Sequence, residues 1–240
     1  MDDHDIYRPS FVRRLFDEMS RTYGVVNLIS SFGFCSFWRR QCVRQVPVRP
    51  GMSVYDLMSG TGECWRSINS RAKHAVSIVA LDFSPEMCRR ATQQLRHYPG
   101  LRVEVAEADV LDNTLAACAA DCVISTFGLK TFDEEQLRRL AAEVARLLKP
   151  GGVFSLLEIS VPPNRLLRAP YMFYLRRVVP LLGRLFLGNP ENYRMLGIYT
   201  DRFRDCAGLG AMLREAGLRV EYRSYFFGCA SGLVGGKELG

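Results

Sequence analysis

Three acids, Asp56, Asp82 and Asp109, stand at the ends of three successive β-rich runs, and the first leads directly into Ser59-Gly-Thr-Gly62 and an expected helix from Glu63. A strand that ends in an acid and passes through a glycine turn lets backbone approach a ligand closely, with helix N–H groups aimed at it. Glycine at this corner also serves many α/β folds simply to turn the chain, so the turn alone is a weak signal. A carboxylate at the end of the next strand, Asp82, is placed to hold a ribose diol, and Asp109 after the third strand stands within reach of an adenine amino group. Each acid alone also reads as a cap or turn residue. In register, the three define a nucleoside pocket at the edge where such sheets bind ligands.

Which nucleoside is decided by what the turn lacks. A dinucleotide wants G-x-G-x-x-G, but here the third glycine is missing and Glu63 would repel a pyrophosphate. S-adenosylmethionine, with a cationic sulfonium and no phosphate, fits better.

These residues need a scaffold, and the pattern along the chain supplies one. Helically spaced apolar residues over 8–45 predict an N-terminal helical segment, placed at 1–47. A core over 48–160 then alternates: strand 52–57, glycine turn, helix from Glu63, strand 74–81, helix 85–96, strands 101–106 and 121–126, helix 133–148 and strand 153–159. Strand and helix taking turns predicts an α/β Rossmann-like fold, a mostly parallel seven-stranded sheet with helices on both faces. An apolar, aromatic and basic insertion over 161–206 reads as a helical lid, and 207–240 as a last helix (209–216) and two strands (219–227 and 230–236). No linker divides the 240 residues, so a single domain is expected.

The net charge of +7 comes from dispersed arginines and favours anionic partners, either nucleic acid or a membrane surface, or simply a solvated basic face. The eight cysteines lack metal-finger spacing and read as small buried hydrophobes. The acidic opening Met1-Asp-Asp-His-Asp5 argues against a signal peptide, and a transit peptide is either absent or already removed. The stretch from Leu166 to Leu187 is broken by arginines and prolines and makes a poor membrane span.

The order of motifs resembles the ubiquinone/menaquinone C-methyltransferase family: Phe16-x6-Tyr23-x3-Asn27, Ser31-Phe-Gly33 and Trp38, Asp56-Leu with Gly60-Thr-Gly62, Asp82-x-Ser-Pro-Glu-Met87, Phe127-Gly-Leu129, Leu148-Lys-Pro-Gly-Gly152, Leu157-Glu158, and Asn192-Tyr193-x-x-Leu196. The likeness covers nearly the whole chain and implies the fold and the cofactor. It also implies that Thr61, Asp82, Asp109, Val110 and Thr126 contact S-adenosylmethionine. With the turn and motif residues, the candidate cofactor set is Asp56, Met58, Gly60, Thr61, Gly62, Asp82, Met87, Asp109, Val110 and Thr126.

Departures from the pattern gather at the reacting end of the cofactor. Met58 and Ser59 replace small residues, Gly24 replaces an acid, Cys35 stands near a missing histidine, and Lys130-Thr131 replaces Arg-Asn. The altered run from Asp56 to Trp65, together with Phe226-Phe-Gly-Cys-Ala230, is similar to the rhodoquinone-biosynthesis enzymes. That resemblance implies conversion of ubiquinone to rhodoquinone, a ring methoxy group being replaced by an amino group with S-adenosylmethionine as amino donor. It further implies Mn2+, a lipid quinone substrate and peripheral contact with the cytoplasmic face of a bacterial inner membrane, or the matrix side of a mitochondrial one.

Conjugate addition to a quinone builds negative charge on a carbonyl oxygen, which a divalent cation would polarise. Glu158, at the end of the fifth strand and expected to face the cleft, is a candidate metal ligand or base, or alternatively the partner of a nearby arginine. The other metal ligands are unassigned. His74, His97 and His4 lie away from the cleft, so a histidine-rich site is not expected. Tyr23 and Tyr193 are candidates to close over cofactor and quinone, or else packing residues. The run from Leu166 to Arg177 reads as a lid over a polyprenyl tail, an interfacial helix or an ordinary cap. Methylation of a quinol and a non-catalytic cofactor-binding subunit remain alternatives. Nucleic acid is not expected as a partner, because the basic residues are scattered and no aromatic catalytic tetrapeptide follows strand four.

Overall fold

Strand and helix alternate as the pattern predicts in the computed structural model, which describes residues 5–72, 76–185 and 189–239. His4 and the expected opening of the second strand at His74 lie outside the described residues. The N-terminal segment folds as α1 (Pro9–Met19), α2 (Tyr23–Ser30) and α3 (Phe34–Arg44). The core follows as β1 (Ser53–Leu57), α4 (Trp65–Ala72), β2 (Ser77–Asp82), α5 (Pro85–Gln94), β3 (Arg102–Glu107), β4 (Ala120–Thr126), α6 (Glu134–Leu147) and β5 (Leu148–Ile159). Next come α7 (Arg165–Phe173), α8 (Val179–Leu185) and α9 (Pro190–Phe203), then α10 (Ala207–Glu215), β6 (Leu218–Tyr225) and β7 (Ala230–Lys237).

Among the described residues the strands form one seven-stranded sheet in the order β3-β2-β1-β4-β5-β7-β6. All pairings are parallel except those of β7, which runs antiparallel between β5 and β6. The strand order reverses between β1 and β4, and in open α/β sheets ligands bind beyond the carboxyl ends of the strands at that reversal. Leu148 already pairs with Ala120, so β5 begins before the expected 153 and a bulge absorbs the Pro150-Gly-Gly turn.

Local chemistry explains the helix starts. Ser84 caps α5 by accepting the Met87 N–H at 3.1 Å, with Pro85 in the first turn. Asp133 and Gln136 form a reciprocal capping box on α6, each side chain accepting the other's backbone N–H at 2.9 Å. The Gln136 amide also donates to the Tyr7 carbonyl at 3.2 Å, fastening the N-terminal segment to the sheet edge.

One apolar layer on the sheet holds Trp38, Trp65 and Ile68 from α3 and α4, and the opposite layer holds Leu140, Val144 and Leu209 from α6 and α10. Each fully buried large side chain contributes about 1.5–3 kcal/mol. A third cluster unites distant segments: Val12, Leu15 and Met19 of α1 with Tyr23 and Val26 of α2, Val179 of α8 and Tyr193 and Tyr199 of α9. This cap core arches over the carboxyl ends of β1, β2 and β4. Tyr199 donates to the Ile6 carbonyl and the Tyr193 and Thr22 hydroxyls bond at 2.7 Å, so α9 is tied to the chain on both sides of α1. None of the described helices is long and apolar enough to cross a membrane. Seven cysteines are buried as the sequence suggests, but Cys118 is exposed.

Candidate active site

Two pockets meet under the cap. The first is walled by the loops after β1 to β4 and by α1. The second is walled by α2, α3, α7, α9 and the turn before β7, and its lining is overwhelmingly apolar. Tyr23 and Phe127 belong to both walls.

Asp82 is the best-defined polar group of the first pocket. Its two carboxylate oxygens accept the Gly60 N–H at 2.8 Å and the Ser84 N–H at 3.0 Å. Burial nevertheless raises its pKa to about 6, against the lowering effect of those two N–H donors. Asp109 lies two residues beyond the end of β3, one oxygen accepting the Leu111 N–H at 2.9 Å. Met58, Gly60, Met87, Val110 and Thr126 also line this pocket.

Three of the expected cofactor residues do not. Asp56 is 1% exposed and lies below the pocket floor, because the acid falls one residue before the end of β1 rather than at its tip. Its burial raises its pKa well above the carboxylate range, with the neighbouring Glu63 carboxylate as the next cause. Thr61 and Gly62 also stand outside the wall. Gly62 serves packing instead: at φ 85°, a Cβ there would lie 2.7 Å from the Trp65 ring.

Met58 is a genuine outlier. It is a long side chain at φ 56°, in the region that favours glycine. It fits because Gly128 across the pocket has no side chain; a Cβ there would sit 2.7 Å from the Met58 sulfur.

Around the same turn, buried polar atoms lack hydrogen-bond partners: Arg39 Nε, Asp56 Oδ2, Ser59 Oγ and Glu63 Oε1. Of these residues, Arg39 and Glu63 line the pocket. Buried polar groups are rarely left unpaired, and Arg39 Nε with Glu63 Oε1 fits a ligand that carries both an acceptor and a donor. Arg39 also lies over the Phe127 ring at 4.8 Å. Burial pulls its guanidinium down, but Glu63 leads the charges that push its pKa above the ordinary value.

Glu158 requires a correction. Expected to face the cleft as base or metal ligand, it is 0% exposed and lines neither pocket. Its partner is a lysine rather than an arginine: Glu158 Oε1 accepts Lys130 Nζ at 2.8 Å and Oε2 accepts the Lys130 N–H at 3.1 Å. The Ile159 N–H donates to the same carboxylate at 2.8 Å. Lys130 in turn lines the apolar pocket. Its ammonium spends one N–H on Glu158 and one on the Phe127 carbonyl at 3.0 Å, which leaves a third. The signal in the sequence was the Lys130-Thr131 departure; nothing there showed that Lys130 and Glu158 meet.

Tyr23 and Tyr193 fall where the two substrates would meet and where the cap is pinned, respectively. Burial raises the Tyr23 phenol above its ordinary pKa, with Arg39 opposing, so it stays a protonated donor. Tyr193 is fully buried, spends its hydroxyl on Thr22, and its ring fills the space left by Gly183.

Manganese does not fit this arrangement. Among the described residues no three His, Cys, Asp or Glu side chains group to hold a metal ion, and Glu158 is committed to Lys130.

Comparison with known proteins agrees with the site's setting. Residues 3–237 match the ubiE/COQ5 methyltransferase family. A demethylmenaquinone methyltransferase of Thermus thermophilus is 33% identical over 93% of this chain and all of its own length. A ubiquinone/menaquinone biosynthesis C-methyltransferase of Methylococcus capsulatus is 33% identical over 90% of this chain and 87% of its own. In fold, the chain is similar to a SAM-dependent methyltransferase from Aquifex aeolicus, with TM-score 0.57, 17% identity, and 82% and 88% of the two chains covered. Sheet order, motif order and these likenesses agree: the chain belongs to the ubiE/COQ5 methyltransferase family, with the Rossmann-like fold of S-adenosylmethionine-dependent methyltransferases.

Proposed function

We propose that this chain transfers a group from S-adenosylmethionine in the polar pocket to the ring of a lipid-soluble quinone or quinol in the apolar one. The observation that carries the reading is the junction of the two pockets at Tyr23 and Phe127, with Lys130 presented on the apolar side. When bound, S-adenosylmethionine supplies an electrophilic methyl group on sulfur and a nucleophilic α-amine. Asp82 holds the ribose diol through its remaining lone pairs, and Asp109 takes the adenine amino group. Arg39, through its unpartnered Nε, and Glu63, through its unpartnered Oε1, receive the carboxylate and ammonium of the methionine part. On the other side, the third N–H of Lys130 meets a ring oxygen, and Glu158 positions the lysine. A cation there stabilises an oxyanion in a dry pocket, where the interaction is strongest.

Methylation of a quinol ring carbon is the first reading, since both curated relatives described above are named C- or demethylmenaquinone methyltransferases. The ring carbon takes the methyl group, the C–H proton leaves, and S-adenosylhomocysteine is the product. The Lys130 ammonium stabilises the quinol as its phenolate, the form in which the ring carbon is nucleophilic.

A second reading is replacement of a ubiquinone methoxy group by an amino group, giving rhodoquinone. It is favoured by two observations: Met58 is held in a strained conformation beside Gly128, and Lys130, paired with the buried Glu158, lines the apolar pocket. In that chemistry the α-amine adds to the quinone carbon, Lys130 holds the resulting oxyanion, and methoxide departs as methanol with an N–H proton. Loss of the Cα proton then moves an electron pair into the quinone ring, and water hydrolyses the resulting imine to the aminoquinol and a 2-oxo acid, which breaks the Cα–N bond.

One incubation separates the readings. Purified protein is given S-adenosylmethionine with a short-chain ubiquinone or a demethylated quinol, with and without manganese, and the lipids are read by mass spectrometry. A product heavier by one methyl group, with S-adenosylhomocysteine, is the expected first outcome. An aminoquinone would replace it with the second, and no product from either acceptor would overturn both.

A further inference from the structure

The apolar pocket opens through an aromatic rim. Phe34 packs on Phe226 with ring centroids 4.7 Å apart, Phe226 on Phe227 at 5.5 Å, and Phe32 on Tyr174 at 6.2 Å. Phe32 is 80% exposed and Phe227 77%. Phe32, Phe226 and Phe227 all sit at positive φ, 49°, 44° and 56°. A bulky side chain in that region is strained, and glycine would relieve it. Three phenylalanines held toward water at strained positions serve something other than folding.

The neighbouring helix is divided in a matching way. From α7 through the π turn Tyr174–Val178, Leu167, Tyr171, Tyr174 and Leu175 line the pocket. Outside it, Leu166 (87% exposed) and Phe173 stand among Arg165, Arg168 and Arg177. Arg165 and Arg177 have no carboxylate partner among the described residues. Arg168 donates to the carbonyls of Pro162 and Pro163, and Pro163 packs against Gly228, so the cationic face and the aromatic turn form one surface. Apolar side chains flanked by unpaired arginines match the boundary of a bilayer with anionic headgroups.

We propose that this rim docks on an anionic lipid bilayer, with Phe32, Phe226, Phe227 and Leu166 at the headgroup–acyl boundary and the arginines against lipid phosphates. The pocket mouth then faces the acyl layer, and a polyprenyl tail passes into it without crossing water. This rests on reading the apolar pocket as a quinone site, but lipid binding requires neither quinone nor turnover.

Vesicle co-sedimentation of the full chain tests it, using phosphatidylcholine alone and phosphatidylcholine mixed with phosphatidylglycerol. Binding to the mixed vesicles is expected to be at least about tenfold tighter. The Phe227→Gly/Leu166→Ser variant removes two exposed side chains that line neither pocket and relieves one strained φ. It is expected to melt no lower than the parent and to bind mixed vesicles roughly tenfold more weakly. Arg165→Glu/Arg177→Glu is expected to erase the preference for anionic vesicles. Failure of the parent to pellet with mixed vesicles, or equal binding by the Phe227→Gly/Leu166→Ser variant, overturns the proposal. Turnover of a detergent-dispersed short-chain quinone, followed in parallel, reports on the quinone reading separately: its loss with vesicle binding intact strikes that reading and leaves the docking surface standing.

Discussion

The two pockets that share Tyr23 and Phe127 are built from different parts of the chain. The first hangs mainly on loops that leave consecutive strands, with Met58 and Gly60 after β1, Asp82 at the tip of β2, Asp109 after β3 and Thr126 at the tip of β4, and is closed by α1, Tyr23 and Arg39. The apolar one draws on α2, α3, α7, α9 and the turn before β7, segments that only the cap core brings together. The first is held rigid by the sheet's own hydrogen bonds, whereas the second depends on helix packing and a few side-chain ties such as Thr22 to Tyr193. Donor recognition and acceptor recognition should therefore respond to different changes.

The largest expected effect lies at the boundary. Lys130→Met removes the cation offered to the acceptor ring, and turnover is expected to fall on the order of 10²–10³-fold. Affinity for S-adenosylmethionine, measured by calorimetry, should barely move. Because Glu158 is then buried without its partner, the variant should also lose about 3–5 kcal/mol of stability. Lys130→Met/Glu158→Gln separates the two effects: its melting temperature should largely recover while turnover does not. Turnover recovering with stability would show that the pair is structural only.

Asp82→Asn tests the donor side. Affinity for S-adenosylmethionine is expected to drop roughly 10–100-fold, from the loss of hydrogen bonds to a charged acceptor, with the KM for quinone unchanged. The same carboxyl sets two opposite pH dependences. Its folded pKa of about 6 lies above the ordinary value of 3.8, so its contribution to stability of the empty protein is complete below about pH 4 and is lost as the pH rises through 6. That loss reaches about 3 kcal/mol at most. Cofactor affinity runs the other way, weakening below about pH 6 as the carboxylate is protonated. Thermal melts and calorimetry between pH 4 and pH 8 should show both trends in the parent, whereas Asp82→Asn should lose the affinity trend and keep only the stability trend set by other buried acids such as Asp56.

Gly128→Ala is expected to cost about 1–3 kcal/mol, because the new methyl group would overlap the Met58 sulfur. In a Met58→Gly background the cost should vanish, and Met58→Gly alone should raise stability by about 1 kcal/mol through relief of its positive φ. Denaturant titration of the four proteins measures this coupling; additive effects would contradict the contact.

The smallest effect concerns the cap. Tyr193→Phe removes the hydroxyl bonded to Thr22, worth about 1 kcal/mol. A severalfold rise in the KM for quinone, with cofactor affinity unchanged, would place the cap on the acceptor side alone.

The ease with which each region could be read follows the same division. Asp82, Asp109 and Gly60 were legible because their roles depend on position relative to a strand end, which hydrophobic periodicity marks in the chain. Asp56 shows the limit of that reasoning: a one-residue offset from the strand tip lowers the side chain into the interior. Arg39 was not legible, since an arginine on an amphipathic helix ordinarily faces water, and its burial beneath the cofactor turn arises from how α3 packs on the sheet. For Glu158 the sequence leaves base, metal ligand or partner of an arginine open, and its actual partner, a lysine 28 residues away, is brought to it by the pairing of β4 with β5 and the turn after β4.

Alternating patterns, capping residues and the glycine turn were enough to determine the α/β scaffold, its parallel character and the location of the donor pocket. These properties rest on interactions among residues close in sequence, together with the connection rules of parallel sheets. The Lys130–Glu158 pair, the unpaired Arg39 and Glu63, the apolar pocket and its strained aromatic rim were settled only when distant segments packed. Burial and pairing are relations between surfaces, and a linear pattern states which residues are apolar without stating which surfaces will meet.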